Sequence, residues 1–202
     1  MKIKKNILNA SCHLFNEKGV MNTTLRDVAK HLNKSYGNIT YHFATKEEVV
    51  SNLLNEMNEE LILLQKFDDN ENIFLYLLNL PEYNYSISVK YLFFMVDYLE
   101  IKRNFKEIQK KIDNLNYVRK EKWMSILLQI KEQGYFDKRF TSNDLEYIIF
   151  LSYSIRITYF QTVEPKDYKK SEFILIVNKL LLPYLSRAGL TVFENWLSRQ
   201  HK

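Results

Sequence analysis

Seven consecutive residues, Tyr36-Gly37-Asn38-Ile39-Thr40-Tyr41-His42, carry five side chains that donate or accept hydrogen bonds. A solvated helix surface is ordinarily lined with Lys and Glu. Tyr, Asn, Thr and His instead offer directional donors and acceptors. Such groups suit recognition of a patterned polar surface better than bond making. Catalysis has little to work with in this chain. His13, His31 and His42 fall in the first 42 residues and His201 at the end, so residues 43–200 contain no histidine for acid–base or metal chemistry. No Ser-His-Asp or Cys-His arrangement and no glycine-rich phosphate loop can be placed. Asp and Glu pairs occur, but with the spacing of helix surfaces. The sequence therefore predicts no enzyme and no bound cofactor. The single cysteine, Cys12, excludes an internal disulfide or a multi-cysteine zinc cluster and fits a reducing, cytoplasmic setting.

The elements that must position this stretch are legible from spacing. Ile3, Ile7, Ala10 and Leu14 recur at steps of four, three and four, a helix face that Gly19 can stop. Thr24-Leu25-Arg26-Asp27 has the spacing of a capping box, and Leu25, Val28, Ala29 and Leu32 supply the buried stripe of a second helix. Asn33 tolerates the left-handed backbone of a tight turn. Ser35 is an N-cap for a third, short helix to about His42. Thr45-Lys46-Glu47-Glu48 opens a fourth, with Val49, Val50, Leu53, Leu54, Met57 and Leu61 inward. Further helices are expected over about 71–80, 86–102, 104–134, 142–163, 169–187 and 189–198. Pro81, Gly134, Pro165 and Gly189 punctuate them, and Pro183 should kink the last but one. FDDNEN, residues 67–72, reads as a linker. Four Gly and three Pro in 202 residues are too few for a sandwich or barrel, so the fold class is all-α.

Charge points the same way as the polar stretch. Residues 1–50 hold eight Lys or Arg against four Asp or Glu, whereas the other 152 hold 21 against 20. Most of the net charge of +5 thus sits in the segment with the polar stretch, as expected for a polyanion partner. The apolar runs YLFFMV and FILIV are far too short to span a bilayer. The basic start lacks the apolar core of a secretory signal, and no membrane association is expected. Two short helices joined by a tight turn, the second rich in hydrogen-bonding groups, form the helix-turn-helix plan, whose second helix enters the DNA major groove.

The residues FNEKG…TTLRDVAKHL…S-x-G-x-I-x-YHF-x-x-KEEV closely resemble the N-terminal domain of TetR-family transcriptional regulators, over about residues 5–55. The resemblance implies a helix-turn-helix domain at 1–46 and a helical ligand-binding and dimerisation domain at 47–202. It implies that Arg26 meets a phosphate or a base and that Ser35, Tyr36, Gly37 and Asn38 form the groove-facing start of the third helix. Gly37 would permit close backbone approach, and Asn38 can pair bidentately with adenine. Tyr41, His42 and Lys46 would bind phosphates. Three positions depart from the family pattern. Asn33 stands where Gly is usual, Lys34 brings a charge where an apolar residue is usual, and Thr40 stands where Tyr is common. They bear on which operator is read.

In the larger domain, aromatics on predicted helices are candidates for an effector pocket: Tyr91, Phe94, Tyr98, Tyr117, Trp123, Tyr153 and Tyr159. Stripes of this kind also build plain core. Asp97 and Arg156 interrupt apolar runs and invite pairing with each other, exposure to solvent, or for Arg156 an anionic ligand head. One helix offers Leu145, Ile148, Ile149, Ser152, Ile155 and Tyr159, and the next Phe173, Val177, Leu180, Leu181 and Tyr184, as faces for a homodimer. The expected partners are double-stranded DNA with a palindromic operator, a second copy of the chain, and a small-molecule effector. The expectation is a ligand-released repressor. The competing reading is a helical module whose basic head binds a membrane surface or a protein, without reading a DNA sequence.

Overall fold

The computed structural model describes residues 2–65 and 71–200, and the regular elements among them are helices. The linker residues 67–70, and His201, lie outside the described residues. The α-helices are α1 Lys2–Lys18, α2 Leu25–His31, α3 Tyr36–His42, α4 Lys46–Leu64, α5 Ile73–Lys90, α6 Phe93–Val96, α7 Tyr98–Asn104, α8 Lys106–Glu132, α9 Ser142–Thr162, α10 Lys170–Lys179 and α11 Arg187–Gln200. No helix among the described residues is long and apolar enough to cross a membrane. The chain forms two compact units, one of Met1–Leu63 with Ile87–Asp113, the other of Leu64–Ser86 with Asn114–Lys202.

In the first unit, α1, α2 and α3 close around Ile7, Leu14, Phe15, Val28, Ile39 and Phe43, joined by Val49, Val50 and Leu53 of α4. Helices of seven residues do not persist alone in water, so α2 and α3 exist through this packing and through their caps. Thr24 accepts from Asp27 N, and the Asp27 carboxylate accepts from Thr24 N at 2.8 Å, the reciprocal box that the spacing predicts. Asn33 takes φ 52°, and Lys34 N donates to Ala29 O at 2.9 Å, which closes α2 and starts the turn. Ser35 Oγ accepts from Asn38 N at 3.2 Å and starts α3. At α4 the box is offset: Thr45 Oγ1 accepts from Glu48 N, but the Glu48 carboxylate takes Ala44 N at 2.7 Å.

The loop between α1 and α2 is held from two sides. Gly19 turns it with φ +84°, Val20 N donates to Asp97 Oδ2 at 2.7 Å, and the Lys46 ammonium donates to Val20 O at 2.7 Å. Lys46 also reaches Thr23 O at 3.1 Å and Met21 O at 3.3 Å, so its three N–H bonds match three carbonyls. One peptide strand is thus pinned between a carboxylate and an ammonium.

Two helix boundaries differ from expectation. Pro81 does not end its helix, because α5 runs through it to Lys90. An interior proline costs about 3 kcal/mol. Burial of Phe74, Leu77, Leu78 and Leu80 along α5 outweighs this, at roughly 1.5–3 kcal/mol for each side chain. The break comes instead after Lys90, where the sequence predicts continuous helix. Asn16 of α1 causes it. Its Nδ2 donates to Lys90 O at 2.9 Å and its Oδ1 accepts from Phe93 N at 3.0 Å, so Phe94 N turns to Tyr91 O. The chain leaves the α pattern, and the Asp97 carboxylate is delivered to Val20.

The second unit packs α9 on α10 through an aromatic cluster of Tyr85, Tyr159, Phe160, Tyr168 and Phe173. Thr141 and Asp144 form a reciprocal capping box at the start of α9. The helix expected over 169–187 stops at Lys179, and a 3₁₀ turn at Leu182–Tyr184 carries Pro183. Gly189 is required by close approach, since a Cβ there would stand 2.1 Å from Tyr135 O. Leu145, Ile148, Tyr159, Phe173, Val177 and Leu181, expected at a dimer face, are buried inside the chain's own unit. The outward apolar residues of α9 are Tyr147 and Phe150.

Replacing Lys46 by Met removes the ammonium and leaves three carbonyls of the 20–23 loop without their donor. Thermal unfolding should show a loss of roughly 1–3 kcal/mol, the cost of stranding buried polar groups. An unchanged melting temperature would show that water satisfies the loop equally well.

Candidate nucleic-acid interface

The polar stretch maps onto α3 with one core residue, Ile39, facing in. Tyr36 is 46% exposed and Tyr41 85% exposed, a large aromatic surface that no packing requirement within the chain explains. Ser35, Gly37 and Lys34 are exposed as well. The Arg26 guanidinium of α2 lies over the Tyr36 ring, 5.2 Å from its centroid, which ties the outer surfaces of α2 and α3 together. Tyr41 and His42 meet edge-on at 5.1 Å, with His42 half-buried behind the tyrosine. Thr40 Oγ1 donates back to Tyr36 O and Gly37 O at 3.2 and 3.3 Å, which leaves its oxygen lone pairs outward as acceptors.

Two features of α3 lack an internal reason. Apart from its chain neighbours and its own helix backbone, nothing among the described residues comes within 4 Å of where a Cβ of residue 37 would stand. Glycine inside a helix costs about 1 kcal/mol relative to alanine, so packing gives no cause for it. The carboxamide oxygen of Asn38 is enclosed and has no hydrogen-bond partner among the described residues. An orphaned buried acceptor costs roughly 1–3 kcal/mol, and a rotation of the side chain would release it. The sequence-based set places Lys46 at a phosphate, whereas here its ammonium is turned inward to three loop carbonyls. Burial pushes that ammonium below the usual lysine value. Lys46 holds the interface in shape.

The residues expected at an effector pocket fall in different places. In the first unit, Tyr91 is buried and donates to Glu60 Oε1 at 2.8 Å, Phe94 is core, and Asp97 accepts from Val20 N. Tyr98 is half-buried there, under the Lys102 ammonium. In the second unit, Tyr117 is 66% exposed, and Tyr159 is buried with its hydroxyl on the backbone of Lys169. Trp123, Tyr153 and Arg156 are half-buried. Asp97 and Arg156 therefore have separate duties. Arg119, absent from the sequence-based set, is near Arg156 and Tyr153. Its signal was its place between Leu115 and Trp123 at steps of four, on a helix otherwise loaded with Lys and Glu.

Residues 7–53 match the family model described as bacterial regulatory proteins, tetR family. A curated relative, the biofilm operon icaADBC HTH-type negative transcriptional regulator IcaR of Staphylococcus epidermidis, is 36% identical over 75 residues. That match spans 35% of this chain and 40% of the relative. A solved TetR-family transcriptional regulator from Marinobacter aquaeolei VT8 superposes with a TM-score of 0.83 at 20% identity, covering 97% of this chain and 99% of that one. A gamma-butyrolactone receptor described as ArpA-like gives a TM-score of 0.73 at 15% identity, covering 98% and 96%. Its head, residues 7–53, thus matches the tetR family of bacterial regulatory proteins, and its fold is that of solved TetR-family regulators.

Proposed function

We propose that this chain is a sequence-specific DNA-binding regulator of transcription, a homodimeric repressor that a small molecule releases from its operator. The observation that carries the reading is α3 itself. It is seven residues long, presents Tyr36 and Tyr41 outward, and keeps a glycine and an unsatisfied asparagine that no contact among the described residues requires. A DNA major groove accepts a helix of this size and offers partners to both features. Gly37 lets the backbone come close, and Asn38, rotated outward, accepts from adenine N6–H at its oxygen and donates its amide N–H to N7. Arg26, Lys34, Ser35, Tyr41 and His42 surround that contact with groups suited to phosphate oxygens. A lipid surface would favour a broad Lys/Arg face instead, and α3 carries none.

Two copies are needed to read two half-sites, and a two-fold pair makes the operator palindromic. Tyr147 and Phe150, 63% and 64% exposed and one turn apart on α9, are the apolar surface proposed to meet its own copy. IcaR is named as a negative regulator and the ArpA-like neighbour as a receptor, which supports a repressor with an effector site in the helical body. An effector that binds one arrangement of the dimer better shifts the population toward it, and release follows when that arrangement misfits successive grooves.

Asn38→Ala should flatten the base preference at one position of each half-site, by roughly 1–3 kcal/mol of discrimination. It should not lower the melting temperature, because it removes an orphaned acceptor. Fluorescence anisotropy across singly substituted duplexes reads the first effect. An equal loss on every duplex would remove Asn38 as a base reader. Phe150→Glu should convert dimer to monomer in sedimentation velocity and weaken operator binding with it. A dimer that survives the substitution would place the interface elsewhere.

A further inference from the structure

Arg156 lies midway along α9 among Leu151, Ile155 and Ile157, and enclosure by protein pushes its guanidinium down to about 10, still cationic at neutral pH. The residue nevertheless keeps part of its surface accessible. A guanidinium enclosed by protein that solvent still reaches is open to an incoming ligand.

The exposure pattern of α9 gives the accessible stretch its extent. Toward the start of the helix, Leu145 and Ile148 are buried while Glu146 and Tyr147 are exposed; toward the end, Tyr159 and Phe160 are buried while Thr158 and Gln161 are exposed. That division is the mark of a helix with a core on one side. Between them, all seven residues from Leu151 to Ile157 are half-buried. Seven residues are about two turns, so every side of the helix is partly accessible there. On α8, Leu115, Arg119 and Trp123, at steps of four, are half-buried in the same way.

Charge defines what the space accepts. The Arg119 charge opposes that of Arg156, and Tyr153, one turn before Arg156 on α9, acts on both. Arg156 Nε donates to Ser152 O of its own helix at 3.3 Å. Among the described residues no carboxylate forms an ion pair with it, and no acid is among the groups that act on its charge. An enclosed cation without an acid is unfavourable in the unliganded protein, and a second cation beside it makes it more so. An incoming anion reverses both effects, and a guanidinium presents it with a planar pair of donors.

We infer that these half-buried stretches of α8 and α9 line a hollow that binds a small organic anion with an apolar body, its carboxylate or equivalent head between Arg156 and Arg119 and its body along Trp123 and the aliphatic residues of α9. The inference rests on the reading of the helical body as an effector receptor and names the chemical class of that effector.

The test uses the full-length protein with 8-anilinonaphthalene-1-sulfonate as a fluorescent anionic probe. A homologous series of fatty carboxylates and the matching neutral alcohols serve as competitors. Carboxylates should displace the probe at concentrations roughly tenfold or more below those of the alcohols, as a charge-assisted contact requires. Arg156→Met, of similar length, should abolish that preference, and Arg156→Lys should retain part of it. Arg156→Met should also melt no lower than the parent, since an unpaired enclosed charge is gone. Equal potency of acids and alcohols, absence of probe binding, or a preference unchanged in both variants would overturn the inference. Duplex selection with the parent protein separates the two readings. A failed selection overturns the regulator, whereas failed anion binding beside a successful selection overturns only the effector class.

Discussion

The head depends on one pinned peptide. Val20 gives its N–H to the Asp97 carboxylate and its carbonyl to the Lys46 ammonium, so opposite charges hold the two ends of the same residue. Without that hold, the carbonyls of Val20, Met21 and Thr23 would lose the ammonium, and the start of α2 would lose its polar tie to α4. The two seven-residue helices have no stability of their own to fall back on. The residues supplying this hold come from elements distant in sequence, and they do so because Asn16 interrupts the helix after Lys90 and brings Asp97 within reach.

With the frame fixed, the outer face of α3 is released from the rules that govern the rest of the molecule. Ile39 and Phe43 anchor the helix in the core, and Tyr41 between them is left to solvent. Open space beside Gly37 and an orphaned Asn38 oxygen are small departures from the best free protein. Local inconsistencies of this kind gather at functional sites, where a partner makes up the deficit. Arg156 in the helical body is a departure of the same type, an enclosed cation that forms no ion pair with a carboxylate among the described residues.

The head was legible in the sequence because its signals are local. Thr24 with Asp27, Asn33 in its turn and Ser35 as a cap each act over three or four residues, and each appears where its spacing places it. The rest was set by contacts that no window contains. Pro81 reads as a break, yet apolar burial along α5 overrides it. The true break after Lys90 is imposed by Asn16, about 75 residues away in the chain. The resemblance implies Lys46 as a phosphate ligand, and only the fold reveals that three loop carbonyls converge on its ammonium. The aromatic candidates for a pocket share one helical spacing, so sequence could not separate core tyrosines such as Tyr91 and Tyr159 from the half-buried Trp123 and Tyr153 beside two arginines.

The measurement that bears most directly on the central claim is selection from a random-sequence duplex library by the purified protein at moderate salt, followed by sequencing of what it retains. The account predicts enrichment of one palindrome, its half-sites about one helical turn apart, as two copies of α3 in successive major grooves require. Retention that falls with salt but enriches no sequence would contradict it. The basic head would then be a surface for polyanions in general, and the polar face of α3 would need another explanation.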